Sequence, residues 1–272
     1  MSISQSGLVT AKPNHKIKLA DIDTRATGDF DDKDEGKEHS KQLVKRIAKL
    51  QPALYAEDKQ SLLIVLQATD TGGKDGAIGH LLTGVNPQGV RVSSFGVPTP
   101  LEAAHDFLWR VHPYAPADGM IGVFNRSHYE DVLVTRVHDL VPKKVWQARY
   151  EAINNFEKLL TQSGTTILKF YLHISKGEQK ERLQDRLDEP DKNWKFSPAD
   201  LKERESWDKY QAAYEDMINK CSTTWAPWNI VPADRKWARN IAIAEKVLAT
   251  MEQMNPQYPQ ADFDPTTIEI DG

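Results

Sequence analysis

The sequence has very little cysteine and no long hydrophobic run, and each absence excludes a class of protein. Cys221 is the one cysteine among 272 residues, so an intrachain disulfide and a zinc site built from cysteines are excluded. The eight histidines show no HExxH-type spacing, so they carry no signature of a catalytic metal. No apolar segment reaches the length of a membrane-spanning helix, and the first residues lack a signal-peptide core. We therefore expect a cytoplasmic protein without membrane contact.

The net charge is also low, which excludes a global attraction to polyanions. It is −4 at neutral pH, with 39% hydrophobic and 27% charged residues, as in ordinary globular domains. A site for a phosphorylated ligand must therefore be a local cluster of basic residues, and we expect no nucleic-acid partner. The length of 272 residues fits one large domain.

Five short apolar runs alternate with segments of helical periodicity. The predicted strands are residues 61–67, 90–95, 119–124, 166–174 and 228–232. The longer predicted helices are residues 36–56, 143–160, 177–187 and 235–251. Continuous rather than alternating apolarity is typical of strands buried on both faces. This order predicts an α/β fold whose mainly parallel, five-stranded sheet has helices on both faces.

We predict a single domain over residues 1–272. The polar and acidic composition of residues 1–35 indicates a loose lead-in to this domain. Residues 255–272 are proline-rich and have no helical period, which predicts an extended tail.

A glycine-rich loop follows the first predicted strand. Residues 68–75 read ATDTGGKD, in which Gly73 and Lys74 match the phosphate-binding pattern GxxxxGK[ST]. Ala68 and Asp75 depart from it at the first glycine and the final hydroxyl residue. The position between a buried strand and a helix still favours an anion site, because backbone amides and the helix N-terminus point there. The alternative is an ordinary glycine-rich turn with a surface lysine.

Asp70 lies inside this loop, where a carboxylate beside phosphate is favourable only with a bridging cation. Asp75 also replaces the hydroxyl group that usually holds magnesium in such loops. Because magnesium prefers carboxylate and phosphate oxygens, we predict that Asp70 is a metal ligand. For Asp75, a charge favoured at a helix N-terminus and a catalytic role both remain open.

A second motif follows the third predicted strand. Asn125 stands where such folds usually carry an acidic residue, and Arg126 lies at the strand end, where open α/β sheets bind ligands. Glu130 and Arg136 follow within three turns. The alternative is ordinary i to i+4 pairing at a helix start.

A third motif begins with Ser175 and Glu178, which predict a capping box at a helix start. Arg182 and Arg186 follow one turn apart on one face, an arrangement that suits a chain of phosphates. The alternative is a solvated helical face, since the segment is about as acidic as it is basic.

Together these segments resemble the polyphosphate kinase 2 family. They are ATDTGGKDG, HDFLWR, FNRSHYEDVLVTRV, YLHIS with QKERLQ, and WKFSP with DLKER, in order across roughly residues 15–262. The chain is most similar to the subclass that phosphorylates both nucleoside mono- and diphosphates. The resemblance implies a P-loop kinase-like three-layer sandwich with a helical lid, here at residues 176–210. It also implies phosphoryl transfer from inorganic polyphosphate to AMP and ADP, with GMP and GDP as further candidates. The implied cofactor is Mg²⁺, with Mn²⁺ as a substitute, and the implied assembly is a homo-oligomer.

The resemblance also implies roles for single residues. The expected catalytic residues are Asp70 as metal ligand, Lys74, Arg126, Arg136, Arg182 and Arg186. The expected nucleotide- and phosphate-binding residues are Thr71, Gly72, Gly73, Asp75, Gly76, Asn125, Glu130 and Lys195, with Glu130 at the nucleobase. Asn125 departs from the acidic residue of other subclasses and leaves the second metal ligand open.

Two other functions fit parts of the pattern. An ATP-dependent nucleoside monophosphate kinase would share the loop, sheet and lid, but it would normally have serine or threonine in place of Asp75. A regulator that binds nucleotide or polyphosphate without turnover would not require the combination of Asp70, Lys74 and paired arginines.

Overall fold

A mainly parallel sheet lies between two layers of helices in the computed structural model, which describes residues 2–3 and 6–270. Within these residues the strands are β1 (Ser2–Ile3), β2 (Val9–Thr10), β3 (Ser61–Ala68), β4 (Val90–Ser94), β5 (Ile121–Asn125), β6 (Thr165–His173) and β7 (Trp228–Pro232). The α-helices are α1 (Lys33–Glu57), α2 (Lys74–Leu81), α3 (Pro100–Ala103), α4 (Glu130–Val137), α5 (Lys143–Gln162), α6 (Lys176–Asp188), α7 (Pro198–Glu205), α8 (Trp207–Cys221) and α9 (Lys236–Met254). A 3-10 helix at Pro190–Lys195 joins α6 to α7.

The five predicted strands form the parallel part of the sheet, in the order β7-β6-β3-β5-β4. All eight residues of the central strand β3 are buried, which explains its continuous apolar sequence. In the register, Leu66 lies opposite Asn125 and Ala68 lies opposite Leu172. The carboxyl ends of β3, β5 and β6 therefore reach one edge of the sheet, and the loops that follow them meet there.

Alternate residues of β3 supply two hydrophobic cores. Leu63 and Val65 belong to the core formed with α4, α5 and α8. Leu62, Ile64 and Leu66 belong to the core formed with α1, α2 and α9. Since strand side chains alternate between the two faces of a sheet, both faces are covered and the three-layer arrangement is confirmed.

The N-terminal segment corrects the prediction of a loose lead-in over residues 1–35. Strand β2 pairs antiparallel with β7 and β1 pairs with β2, which extends the sheet beyond its five parallel strands. The Ile17 N–H donates a 2.7 Å hydrogen bond to Asn219 Oδ1. The buried apolar residues of the segment are Leu8, Val9, Ala11, Ile17, Leu19 and Ile22. Distant partners therefore order a segment that has a polar composition.

Residues 176–210 comprise α6, the 3-10 helix, α7 and the first residues of α8. Residues 257–270 are exposed and contain only a 3-10 turn at Pro265–Thr267. None of the described helices is long and apolar enough to cross a lipid bilayer.

Candidate active site

The glycine loop between β3 and α2 needs its two glycines for close contacts. A Cβ atom on Gly72 would lie 2.4 Å from the Ala68 side chain. Gly73 has a φ of 93°, and a Cβ there would lie 2.2 Å from the Arg239 guanidinium. The left-handed backbone and the lack of a side chain at Gly73 thus allow an arginine to reach the loop backbone.

Lys74 begins α2 and is buried. Its Nζ lies 3.3 Å from the Ala68 carbonyl oxygen. Burial, with a further contribution from Arg126, lowers the pKa of Lys74 to about 8. No carboxylate in the described part of the chain forms an ion pair with this ammonium group. It is therefore poised to bind an anionic ligand, which would supply a direct counter-charge.

Arg126 links the loop to the end of β5. Its Nη2 lies 2.8 Å from Asp70 Oδ1, and its Nη1 lies 3.5 Å from Glu130 Oε2. The φ of Arg126 is 63°, an unusual value for a residue with a side chain, which suggests a functional constraint. Burial raises the pKa of Glu130, although Arg126 and Lys74 oppose the shift.

Two further arginines hold the loop backbone from α6 and α9. Arg182 Nη1 donates to the Thr71 carbonyl at 3.0 Å, and Arg239 Nη1 donates to the Gly73 carbonyl at 3.0 Å. Both side chains are buried, and burial, together with Arg182, lowers the pKa of Arg239 to about 10. These residues fix the shape of the loop while leaving it in a strongly positive environment.

Asp75 accepts a 2.7 Å hydrogen bond from Asn125 Nδ2. Asp75 replaces the usual hydroxyl residue of the loop, and Asn125 replaces the usual acidic residue after β5. These two replacements therefore contact each other. This bond ties the start of α2 to the end of β5.

An apolar cavity of about 540 Å³ lies on one side of this cluster. Its aromatic and aliphatic lining includes Phe95, Val97, Pro98, Val134, Leu140, Trp207, Tyr210 and Tyr214. Glu130, Asp131 and Arg110 supply polar groups within it. A cavity with apolar walls and a few polar groups has the chemistry that a nucleoside requires.

A basic cavity of about 510 Å³ lies on the other side. Its cationic lining consists of Lys74, Arg126, Arg182, Arg186, Lys192, Lys195, Lys236 and Arg239. The carboxylates among the lining residues are Asp70, Asp75 and Asp185. This excess of positive charge beside a glycine loop suits a ligand with several phosphates.

The two cavities share the residues at which they meet. Asp70, Phe95, Gly96 and Arg126 line both of them. A group bound at the end of one cavity would therefore lie next to a group bound at the end of the other, with Asp70 and Arg126 beside both.

The structure brings most of the sequence-predicted residues into this site. Asp70, Lys74, Arg126 and the glycine loop from Thr71 to Gly76 line the basic cavity together with Asn125, Arg182, Arg186 and Lys195. Glu130 lines the apolar cavity. Arg186 donates to the Lys195 carbonyl and to Asp200, so it braces the 3-10 helix and α7.

Arg136 is the exception, and its position does not support the expectation that it is a catalytic residue. Its Nη1 lies 2.7 Å from Asp216 Oδ2, and its guanidinium stacks 4.8 Å from the centre of the Trp146 ring. It lines neither cavity. The end of α4 directs this side chain between α5 and α8 instead.

The predicted capping box at α6 is also corrected in one detail. Ser175 accepts the Glu178 N–H, as expected for a helix cap. The Glu178 carboxylate does not return to the Ser175 backbone but accepts a 2.7 Å hydrogen bond from Arg182 Nε. Glu178 therefore orients the arginine that holds the loop.

Arg239 and Lys236 are functional candidates that the sequence patterns did not single out. Both lie at the start of α9, directly after strand β7. A basic pair just beyond the carboxyl end of a parallel strand is the signal that could have identified them.

A magnesium ion fits this site only together with a phosphorylated ligand. The described residues contain no group of three or more His, Cys, Asp or Glu side chains placed to hold a metal. The Asp70 side chain is 24% exposed and borders both cavities. One carboxylate with phosphate oxygens as the remaining ligands is a common way for proteins to bind magnesium.

Comparison with known proteins gives concordant matches. The sequence model described as "Polyphosphate kinase 2 (PPK2)" matches residues 30–259. A Meiothermus ruber protein named AMP/ADP-polyphosphate phosphotransferase is 50% identical over 96% of this chain and 98% of its own length. A Rhodopseudomonas palustris protein named ADP-polyphosphate phosphotransferase is 46% identical over 83% of this chain and 84% of its own length. The crystal structure of polyphosphate kinase 2 from Arthrobacter aurescens TC1 superposes with a TM-score of 0.91 at 44% identity, covering 94% of this chain and 92% of that one.

Proposed function

The chain belongs to the polyphosphate kinase 2 family, and from this premise we propose that it transfers phosphoryl groups from inorganic polyphosphate to AMP and ADP. It is an enzyme, a polyphosphate-dependent nucleotide kinase. GMP and GDP are further acceptors within the proposal. The reaction is reversible, so a nucleoside triphosphate can also transfer its terminal phosphoryl group back to polyphosphate.

The observation that carries the proposal is the junction of two cavities of opposite character. The apolar cavity accepts the nucleoside, and Glu130 contacts its nucleobase. The basic cavity accepts the polyphosphate chain. Donor and acceptor phosphates then meet at Asp70 and Arg126, the charged residues common to both linings. An ATP-dependent kinase would instead need a second nucleoside pocket beside the glycine loop, where the lining is basic.

Catalysis at this junction rests on positioning and charge. Two polyanions repel each other, so the cationic groups of the basic cavity must offset their charge as they approach in line. Lys74 and Arg126 act on the transferred group, while Arg182 and Arg239 hold the loop that surrounds it. Groups that are fixed before the reaction stabilise the transition state without reorganisation.

The acceptor needs no general base. The second pKa of a terminal phosphate is near ~6, so its oxygen is already ionised at neutral pH. Asp70 is therefore proposed as a ligand of magnesium rather than a proton acceptor. When bound, the ion supplies neutralisation of phosphate charge and a template for the phosphate oxygens.

Three further elements belong to the proposal. Residues 176–210 act as a lid that closes over the junction, since α6 already contacts the glycine loop through Gln179 and Arg182. The enzyme works in the cytoplasm, where its nucleotide substrates are, as a homo-oligomer. Mn²⁺ substitutes for Mg²⁺.

The test omits ATP from the reaction. Purified protein, Mg²⁺ and long-chain polyphosphate are incubated with AMP or with ADP, and the nucleotides are separated by ion-exchange chromatography. ATP formed from both acceptors supports the proposal in full. ATP from ADP alone, or conversion of AMP to ADP alone, would restrict the acceptor range. Turnover only when ATP is supplied as donor would replace the proposal with an ordinary nucleotide kinase.

A further inference from the structure

A second basic groove, of about 840 Å³, lies between the start of α1 and the start of α9. We call it the α1–α9 groove. Its cationic lining residues are Lys33, Lys37, Lys41, Arg235 and Lys236, and its carboxylates are Asp31 and Asp234. None of the sequence motifs included the lysines of α1, and the reaction proposed above does not use them.

The groove is continuous with the basic cavity of the active site. Lys236 lines both. Arg239, which lines the basic cavity, donates from Nη2 to Oδ1 of Asn240, which lines the groove, at 2.7 Å. The first turn of α9 therefore borders both the basic cavity beside the glycine loop and the α1–α9 groove.

The cations of the groove are available to a ligand. Lys33, Arg235 and Lys236 are exposed and form no ion pair with any residue in the described part of the chain. Lys37 and Lys41 pair only with Asp34 and Glu38 one turn away on the surface of α1. Such exposed pairs contribute little stability, so these lysines can turn to a polyanion at low cost.

The carboxylate of Asp234 is engaged elsewhere. It accepts hydrogen bonds from the Thr24 hydroxyl at 2.7 Å and from the Ser175 N–H at 2.8 Å. These donors offset its repulsion of a bound anion.

The aromatic content favours an inorganic chain over a nucleic acid. Two aromatic rings line the groove together with the basic residues, those of Trp237 and His80. The Trp237 ring lies against α1 so closely that a Cβ atom on Gly36 would come within 2.6 Å of it. Single-stranded nucleic acids are held by stacking successive bases on a series of aromatic faces, and one tryptophan packed against α1 is a poor platform for such stacking.

We propose that the α1–α9 groove binds the distal phosphates of a long polyphosphate chain whose end lies in the basic cavity. This inference rests on the proposed function for the identity of the donor. The groove would keep the remaining chain bound while its end is consumed, so it confers a preference for long chains over tripolyphosphate. An inorganic chain has no bases to recognise, and binding along the groove is therefore electrostatic and dependent on salt.

The test compares two triple variants with equal loss of charge. Lys33→Gln/Lys37→Gln/Lys41→Gln removes the α1 side of the groove. The control, Lys45→Gln/Lys49→Gln/Lys59→Gln, removes three exposed lysines on or just after the same helix but outside the groove. Binding of long-chain polyphosphate and of tripolyphosphate is measured without nucleotide by isothermal titration calorimetry, at several salt concentrations. The KM for each chain length is then measured with ADP.

The inference predicts that the groove variant loses at least about fivefold in affinity for the long chain at low salt, and that its binding depends less steeply on salt. Its affinity for tripolyphosphate and its kcat stay at the control values. Equal long-chain affinity and KM in the groove and control variants would overturn the inference, even if the wild-type enzyme uses polyphosphate. Binding of the long chain in the groove without any turnover by the wild type would instead overturn the proposed function.

Discussion

The Arg126 guanidinium lies 2.8 Å from the Asp70 carboxylate, Nη2 to Oδ1, at the junction of the apolar and basic cavities. This ion pair shows how a loop that we propose to bind phosphate can contain a carboxylate. Without a phosphorylated ligand, Arg126 supplies the counter-charge of Asp70. With one, we expect the arginine to bind phosphate oxygens and magnesium to take over the carboxylate.

Replacing Asp70 by asparagine tests the metal assignment. Asp70→Asn keeps the shape of the side chain and an oxygen that can accept from Arg126, but it removes the charge that attracts magnesium. We expect the rate at normal magnesium to fall by about 10²–10³. A titration of rate against Mg²⁺ should show a partial recovery at high concentration. Asp118→Asn, at an exposed loop position, is the control with the same charge change, and wild-type magnesium dependence of Asp70→Asn would remove this residue as a ligand.

Replacing Arg126 by alanine removes the charge that faces both cavities. We expect kcat to fall by about 10²–10³, the usual cost of one preorganised group that stabilises transition-state charge. Circular dichroism should show an intact fold, because the side chain is 41% exposed. A variant that keeps more than a tenth of wild-type kcat would show that Arg126 does not act on the transferred phosphate.

The lowered pKa of Lys74 predicts a specific pH dependence of kcat/KM. Burial, followed by Arg126, lowers its pKa to about 8, so the free enzyme loses the Lys74 charge as the pH rises through that value. The ratio kcat/KM for polyphosphate reports ionisations of the free enzyme and should fall above about pH 8. Bound phosphate favours the charged form, so the decline of kcat should lie at higher pH.

The variant Lys74→Arg provides the control for this pH profile. Arginine stays charged throughout the range, so the decline in kcat/KM above about pH 8 should disappear, although the absolute rate is lower. An unchanged decline in Lys74→Arg would assign the ionisation to another group.

Arg136 should behave as a structural residue. Its partly exposed ion pair with Asp216 and its contact with Trp146 together contribute about 1 kcal/mol to the free energy of unfolding. We expect Arg136→Ala to lower stability by this amount in urea denaturation and to keep kcat within about threefold of wild type. A hundredfold loss of kcat with unchanged stability would return Arg136 to the expected catalytic residues.

The comparison of Arg126 with Arg136 shows where sequence reasoning succeeds. The apolar runs, the loop after β3 and the motif after β5 are local signals. They identified the parallel strands, the sheet edge that binds ligands, and Asp70, Lys74 and Arg126 as candidate residues. The direction of Arg136 depends on how α4 sits against α5 and α8, and spacing within one motif does not carry that information.

The other differences between the sequence-based predictions and the structure also arise from contacts between residues that are distant in sequence. Ile17 is held by Asn219, which is 202 residues away, and Arg239 reaches Gly73 across 166 residues. Composition describes residues 1–35 as polar because it counts charges, whereas the fold selects a few apolar residues from that segment to bury. Contacts between residues so distant in sequence produce no periodic pattern that can be recognised in a single amino-acid sequence.

Initial rates over a matrix of ADP and polyphosphate concentrations, with Mg²⁺ and no ATP, test the central claim most directly. In the proposed arrangement, donor and acceptor occupy separate cavities that meet at Asp70 and Arg126. Direct transfer then requires both to be bound at once, so the double-reciprocal plots should intersect. A non-hydrolysable polyphosphate analogue should then compete with polyphosphate but not with ADP. Parallel lines, or competition between the analogue and ADP, would contradict the account of two cavities with direct transfer between them.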